Sequence, residues 1–396
     1  MTKRILILLL LLLSACTTVG PAGSSPGPTD GTVEVERGSD PGSDFESVGS
    51  TREETSTSPT PGPTPTLQPA TYYNFEPGIN PLTGLPVENP DNLGRRPVMV
   101  KVSNWPREGR PHAGLTQADI VFEYFIGHQM NRFLAVYYGE DAEKIGPVRS
   151  GRLVDAQLVT LYRGILGYGN ADPQVDAVLV EALGERALAF NGVPCPAMCG
   201  ESTYDATGVF ANSAALTDYA EGIGVDNRTP DLRGMFFQAE TVEGDEAGES
   251  LRLEYANFSI MEWQYQREDG KYHLWMEEDV DGILEMVPMT DRNNTLPVAF
   301  DNIVVMLAEY IEYAPSLHDI VITEAVGLQP AMLFREGGLI YGTWRAPVPD
   351  RPIIFELSDG APLPLKPGKT WVVILGLASQ IQQPVGGEWK IYFGLP

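Results

Sequence analysis

Pro97-Val98-Met99-Val100-Lys101-Val102-Ser103-Asn104 sets valine on alternate positions and ends in two small polar residues. That period of two is the signature of a strand. Residues 119–125, rich in β-branched and aromatic side chains, read as a second strand, and 133–138 as a third. Helical spacing follows: Val154, Leu158, Leu161 and Ile165 share one face. Val175, Val178, Leu179, Ala182 and Leu183 form another apolar stripe, with Asp172-Pro173 as its start signal. Asn212-Ser213 is a cap for a third helix running through Tyr219.

Downstream, residues 243–250 turn acidic and Gly-rich, the composition of a linker. Beyond them strands dominate: 251–258, 272–276, 303–313, 320–324, 332–334, 339–344, 353–357 and 371–375, with turns at Asp269-Gly270, Gly337-Gly338 and Asp359-Gly360. The expected fold class is α+β. A mixed α/β N-terminal domain over 72–242 precedes a β-rich C-terminal domain over 251–396. About 325 residues follow the leader and spacer, enough for two cores.

The chain start is different in kind. Lys3 and Arg4 lead into an apolar run over 5–13, then Leu13-Ser14-Ala15-Cys16. Positive, apolar and small is the order of a signal peptide. The nine-residue run falls short of the roughly 20 residues a spanning helix needs. Leu-Ser-Ala-Cys is similar to the lipobox of bacterial lipoproteins, which implies cleavage after residue 15 and lipid, palmitate included, on Cys16. Two or three acyl chains anchor stably where one does not. Residues 17–71 are Pro, Gly, Ser, Thr and acids, a disordered spacer by composition. As a coil it reaches roughly 40 Å. The expected location is therefore the extracytoplasmic face of a cell membrane.

The formal charge of −26 argues against nucleic acid or anionic headgroups meeting the surface as a whole. Within 95–152, however, nine Lys/Arg face six Asp/Glu, a local +3 that leaves −29 for the remainder. Gly146-Pro147-Val148-Arg149-Ser150-Gly151-Arg152 leads into a helix start, where guanidinium forks and backbone N–H groups suit phosphate or carboxylate. Asn104, Arg110, Asp119, Glu123, Arg132, Arg149, Ser150 and Arg152 are the ligand-binding candidates. The opposing reading pairs these arginines with Asp119, Glu123 and Asp155 to hold the fold. Asp119 and Glu123, four apart on one strand, would share a face. They suit a metal or acid–base pair, or pairing with Arg132 on the next strand. Ser150 between two arginines lacks a visible base.

After Cys16 only Cys195 and Cys199 remain. Nearby cysteines in an oxidising compartment most often form a disulfide. Their spacing is not that of thioredoxin-like redox pairs, and the four histidines show no metal-ligand spacing. No metal site or cofactor is expected. The signatures of serine hydrolases, zinc proteases and phosphate loops are missing.

Asn80-Pro81-Leu82-Thr83-Gly84-Leu85-Pro86, Arg96-Pro97-Val98-Met99-Val100-Lys101-Val102-Ser103-Asn104, Arg110-Pro111-His112-Ala113-Gly114-Leu115, Gln117-Ala118-Asp119-Ile120-Val121-Phe122-Glu123, Asn131-Arg132-Phe133-Leu134-Ala135-Val136 and Lys144-Ile145-Gly146-Pro147-Val148-Arg149-Ser150-Gly151-Arg152 occur in that order. Gly342-Thr343-Trp344 and Pro367-Gly368-Lys369-Thr370-Trp371 follow. Together they resemble the YerB-like lipoprotein family, over roughly 80–377. The resemblance implies a lipid-anchored envelope protein with an α/β part and a β-rich part, and supplies no reaction. Asn131 stands where the family usually has Thr or Ser, and His112 where it often has Gln.

Two functions follow as expectations. One is a lipoprotein binding an anionic cell-wall ligand or an envelope protein through the arginines. The other is a metal-assisted enzyme on phosphate-bearing wall precursors, with Asp119 or Glu123 holding the metal beside Arg132, Arg149 and Arg152.

Overall fold

The valine-alternating stretch becomes β1 (Val98–Ser103), buried on both faces along its whole length. In the computed structural model, which describes residues 73–202, 205–346, 349 and 351–395, it has strands on both sides and layers above and below. The signal segment, Cys16 and the 17–71 spacer lie outside the described residues.

The upstream half supplies β1, β2 (Ile120–Gly127), β3 (Met130–Tyr137), β4 (Ile165–Tyr168) and β5 (Ala187–Ala189). β2 and β3 form a hairpin, β3 pairs antiparallel with β1, and β1 and β5 run parallel to β4. The downstream half begins with β6 (Glu246–Ala256), β7 (Ser259–Gln266), β8 (Lys271–Val280) and β9 (Ile283–Pro288), an antiparallel meander. It then returns with β10 (Asn302–Ala308), β11 (Gln329–Arg335), β12 (Gly338–Arg345), β13 (Ile354–Glu356) and β14 (Thr370–Gly376). β14 lies parallel between β2 and β10, so both halves build one main sheet in the order β5–β4–β1–β3–β2–β14–β10–β11–β12–β13. β15 (Gln380–Val385) and β16 (Gly387–Tyr392) complete the second sheet beside β6.

The second sheet packs on one face of the main sheet. Trp371 of β14 meets Trp263 of β7 at 4.9 Å, Phe133 of β3 at 4.9 Å and Phe300 at 5.3 Å between ring centroids. Such edge-on and tilted pairs add attraction beyond area burial. On the opposite face lies helix α1 (Leu153–Leu161), with α2 (Pro173–Leu183) against it. Helix α3 (Ser213–Gly222) packs near β1 and β4. Asp172 caps α2 through Gln174 N–H, and Asn212 caps α3 through Ala215 N–H, as the cap signals imply. The α+β class holds.

Several boundaries differ. Ile165 opens β4 instead of closing α1, because Arg163 turns left-handed (φ 52°) just after the helix. Residues 246–250, expected as linker, are the start of β6. Gly248 there lies so close to Gly338 that a Cβ would sit 2.9 Å from its carbonyl carbon. A glycine in a linker-like composition is thus a close backbone contact between two strands. The 303–313 run is broken in two at Glu309, giving β10 and a short strand Tyr310–Ala314. Residues 321–324 are not strand; the partner strand is Leu317–Ile320. β7, β9, β15 and β16 lie outside the expected strands, although Met261, Trp263 and Tyr265 of β7 and Trp389 and Ile391 of β16 alternate with polar residues.

Candidate functional site

The positive island divides between the two faces of the main sheet. Strand parity does this. In the hairpin Arg132 sits opposite Tyr124, while Phe133 sits opposite Glu123. Arg132 therefore faces α1, and Glu123 faces the second sheet.

On the α1 face three arginines converge. Arg132 is 7% exposed, and its Nη1 donates to Ser150 O at 2.9 Å. Arg152, the residue before α1, donates from Nη1 to Gly151 O at 2.8 Å; its Nε–H is buried and has no acceptor. The backbone N–H of Arg149 donates to Lys101 O at 2.9 Å, which fixes the loop against β1. Burial lowers the affinity of Arg132 for its proton, and repulsion from Arg152 and Arg149 lowers it further. Arg149 is lowered by burial. Arg152 is lowered by burial and by Arg149, against the attraction of Asp155, Tyr124 and Asp172. Among the described residues neither the Arg132 nor the Arg152 side chain makes an ion pair.

The carboxylate nearest them is committed elsewhere. Asp155 in the first turn of α1 accepts from Arg152 N–H at 2.7 Å through Oδ2, satisfying one backbone donor at the helix start. Its Oδ1 accepts from Lys101 Nζ at 3.2 Å and from Tyr124 OH. Lys101 also donates to Tyr124 OH. Lys101 and Asp155 side chains are both fully enclosed. Burial pulls the Lys101 ammonium down to about 7, Asp155 opposing and Arg132 and Arg152 assisting. Ser150 Oγ donates to Asn170 Oδ1 at 2.5 Å at the rim. Lys101 and Tyr124 are the residues that sequence reasoning missed. A lysine within an apolar strand was the available signal.

On the second-sheet face, Glu123 is wholly buried. Its carboxyl accepts from Asn131 Nδ2 at 2.6 Å, Tyr255 OH at 2.9 Å and Trp371 Nε1 at 2.7 Å. Burial raises it to about 7 against those three donors. Asn131 Oδ1 accepts from Asn104 Nδ2 at 2.7 Å, and Asn104 Oδ1 accepts from Arg110 Nε at 3.2 Å. Arg110 then pairs with Glu277 of β8 at 3.1 Å and donates to its carbonyl at 2.6 Å. Asn104, Arg110 and Glu123 thus form one polar chain joining the two halves. Arg110 belongs to the packing there, and its partner is Glu277, far downstream, where sequence reasoning offered Asp119, Glu123 or Asp155. Asn131, in the family's Thr/Ser position, is the bridge.

Asp119 stands apart. Its carboxyl accepts from Asn80 Nδ2 at 2.9 Å, Tyr138 N–H at 2.7 Å and Gly139 N–H at 2.9 Å, pinning the 80–86 loop to the end of β3. Burial raises it to about 6. A cavity of about 240 Å³ opens over it, lined also by Leu85, Val87, Glu140 and Lys369. Asp119 and Arg132 lie near opposite ends of the hairpin, five residues and roughly 17 Å along the strand. The expected pairing of Arg132 with Asp119 or Glu123 does not form. Nor do these carboxyls meet the arginines as a metal-holding constellation would require.

Cys195 and Cys199 are disulfide-bonded. His112 is buried, donates from its ring Nε2 to Ser103 O at 2.8 Å, and is pulled down to about 3 by burial, with Arg110 adding. Trp371 and Trp344 are core residues, the latter donating to Leu307 O at 3.0 Å.

Two family profiles match this chain: "Protein of unknown function (DUF3048) N-terminal domain" over residues 82–218, and the DUF3048 C-terminal domain over 251–372. The Bacillus subtilis (strain 168) protein named "Putative lipoprotein YerB" is 30% identical over 305 residues, 74% of this chain and 85% of that one. The chain belongs to the YerB-like DUF3048 family. Within it, a crystal structure of the YerB protein from Bacillus subtilis superposes with a TM-score of 0.63 at 26% identity, covering 75% of this chain and 96% of that one. Both family halves contain strands of the main sheet, so the site between β1, β3 and α1 falls in the N-terminal DUF3048 region and the Glu123 chain spans both.

Proposed function

We propose that this DUF3048 protein is a lipoprotein held through Cys16 at the extracytoplasmic face of a cell membrane, and that it binds an anionic envelope ligand at Arg132, Arg149 and Arg152. The lipoprotein name of the relative and the lipobox-like Leu-Ser-Ala-Cys16 support the anchor. One observation carries the binding reading. Three guanidinium groups crowd the start of α1, and the nearby carboxylate of Asp155 is occupied by Lys101, Tyr124 and a backbone N–H. Like charges held together at partial burial are costly, and a phosphate or carboxylate offsets that cost. The buried Nε–H of Arg152 is a donor available to it. The acidic remainder of the surface repels polyanions at long range, so recognition is confined to the site.

The test uses full-length protein in detergent and a short poly(glycerol phosphate) as probe, followed by titration calorimetry. Arg149→Ala and Arg152→Ala are expected to weaken binding roughly tenfold or more each. Equal affinity for both variants and the parent protein would overturn the binding reading. Cys16→Ala is expected to move the chain from the membrane pellet to the soluble fraction.

A further inference from the structure

We propose that Lys101 takes up a proton when the arginine site takes its anion, which makes the protein's ligand affinity fall as the surroundings become alkaline. This rests on the binding reading above and concerns the regulation of that site.

The geometry is a cation beneath cations. Lys101 projects from β1 toward α1, and its side chain has no exposure. Tyr124 of β2 and Asp155 of α1 hold its Nζ. Arg132 of β3 and Arg152 at the start of α1 repel it, and Arg149 joins its backbone to that of Lys101. These are the charged and titratable groups facing Lys101 from each element packed on it. Asp155 is the one anion among them, and its two oxygens serve three donors. An ammonium in that position competes with two guanidinium groups for one carboxylate.

Burial already draws Lys101 down to about 7, so near neutral pH it is part neutral and part charged. An anion bound to Arg132 and Arg152 cancels their repulsion and raises the proton affinity of Lys101. Binding and protonation then favour each other by linkage. The sign follows. Below about pH 7 Lys101 is charged with or without ligand, and affinity is flat. Above it, the ligand must bring a proton with it, and affinity drops by up to about tenfold per pH unit until the ligand-bound lysine also loses its proton.

Titration calorimetry with poly(glycerol phosphate) tests this, because its phosphodiesters keep a fixed charge through pH 6.5–9. Repeating it at pH 7.5 in buffers of different ionisation enthalpy reports protons taken up per bound site. A positive fraction of a proton, up to about one, is expected for the full chain, and none for Lys101→Met with binding retained. Affinity measured from pH 6.5 to 9 on the unaltered protein needs no variant and should fall above about pH 7. Binding with no proton uptake and no pH dependence overturns the coupling and leaves the binding reading standing. Uptake that persists in a folded, binding Lys101→Met protein also overturns it. No binding at any pH overturns both.

Discussion

Glu123 has three hydrogen-bond donors and no cation, an arrangement in which burial and donors oppose each other. Burial wins, lifting its proton affinity from the usual carboxyl range to about 7. The folded state therefore holds a proton there that the unfolded chain releases above about pH 4.5. The stability this contributes is complete below pH 4.5 and lost as pH rises through 7. Over that window the loss is roughly 3 kcal/mol. Glu123→Gln does not titrate, so its stability relative to the parent should improve between pH 5 and pH 8 by up to that amount. Denaturant midpoints at the two pH values measure it, and a pH-independent difference would refute it. Asp119, raised to about 6, and His112, lowered to about 3, titrate in both proteins and cancel in the comparison.

The β2–β3 hairpin shows how an element depends on a backbone position. Gly127 closes β2 at φ 98°, where the register shifts by one residue. A Cβ there would lie 2.2 Å from Pro315 O and 3.0 Å from Ser316 Cα. Both the left-handed conformation and the close approach require glycine. Gly127→Ala should cost well over 1 kcal/mol, read as a lower thermal midpoint, and an unchanged midpoint would show that the 315–316 turn yields freely. The hairpin also fixes which side chains share a face. A one-residue slip would carry Arg132 away from α1 and Asn131 away from Glu123.

At the scale of the whole molecule, β14 comes from the far end of the chain and fills the space between β2 and β10. It also brings Trp371 to Glu123 and to the aromatic cluster between the sheets. A chain ended after residue 242 loses β14, leaving the edge of β2 unpaired and Glu123 without two of its three donors. Such an edge is aggregation-prone. That fragment should be insoluble or lack cooperative unfolding, whereas a chain spanning 73–395 should unfold in one transition seen alike by tryptophan fluorescence and circular dichroism. A monomeric, cooperatively folded 1–242 fragment would contradict this.

Local pattern alone determined much of this protein. The alternation of Val98, Val100 and Val102, the caps Asp172 and Asn212, and the turns at Asp269-Gly270 and Gly337-Gly338 act over a few residues, where period and backbone preference suffice. The ordered motifs of the two halves were likewise enough to indicate the family. Tertiary structure decided which charges meet. Arg110 finds Glu277, 167 residues away, and Lys101 of β1 finds Asp155 on α1. Glu123, Asp119 and Arg132 part company despite their proximity in the chain. The reason is physical: parity assigns a side chain to a face, but its partner there is whatever the packing of distant segments delivers, and burial then sets its charge.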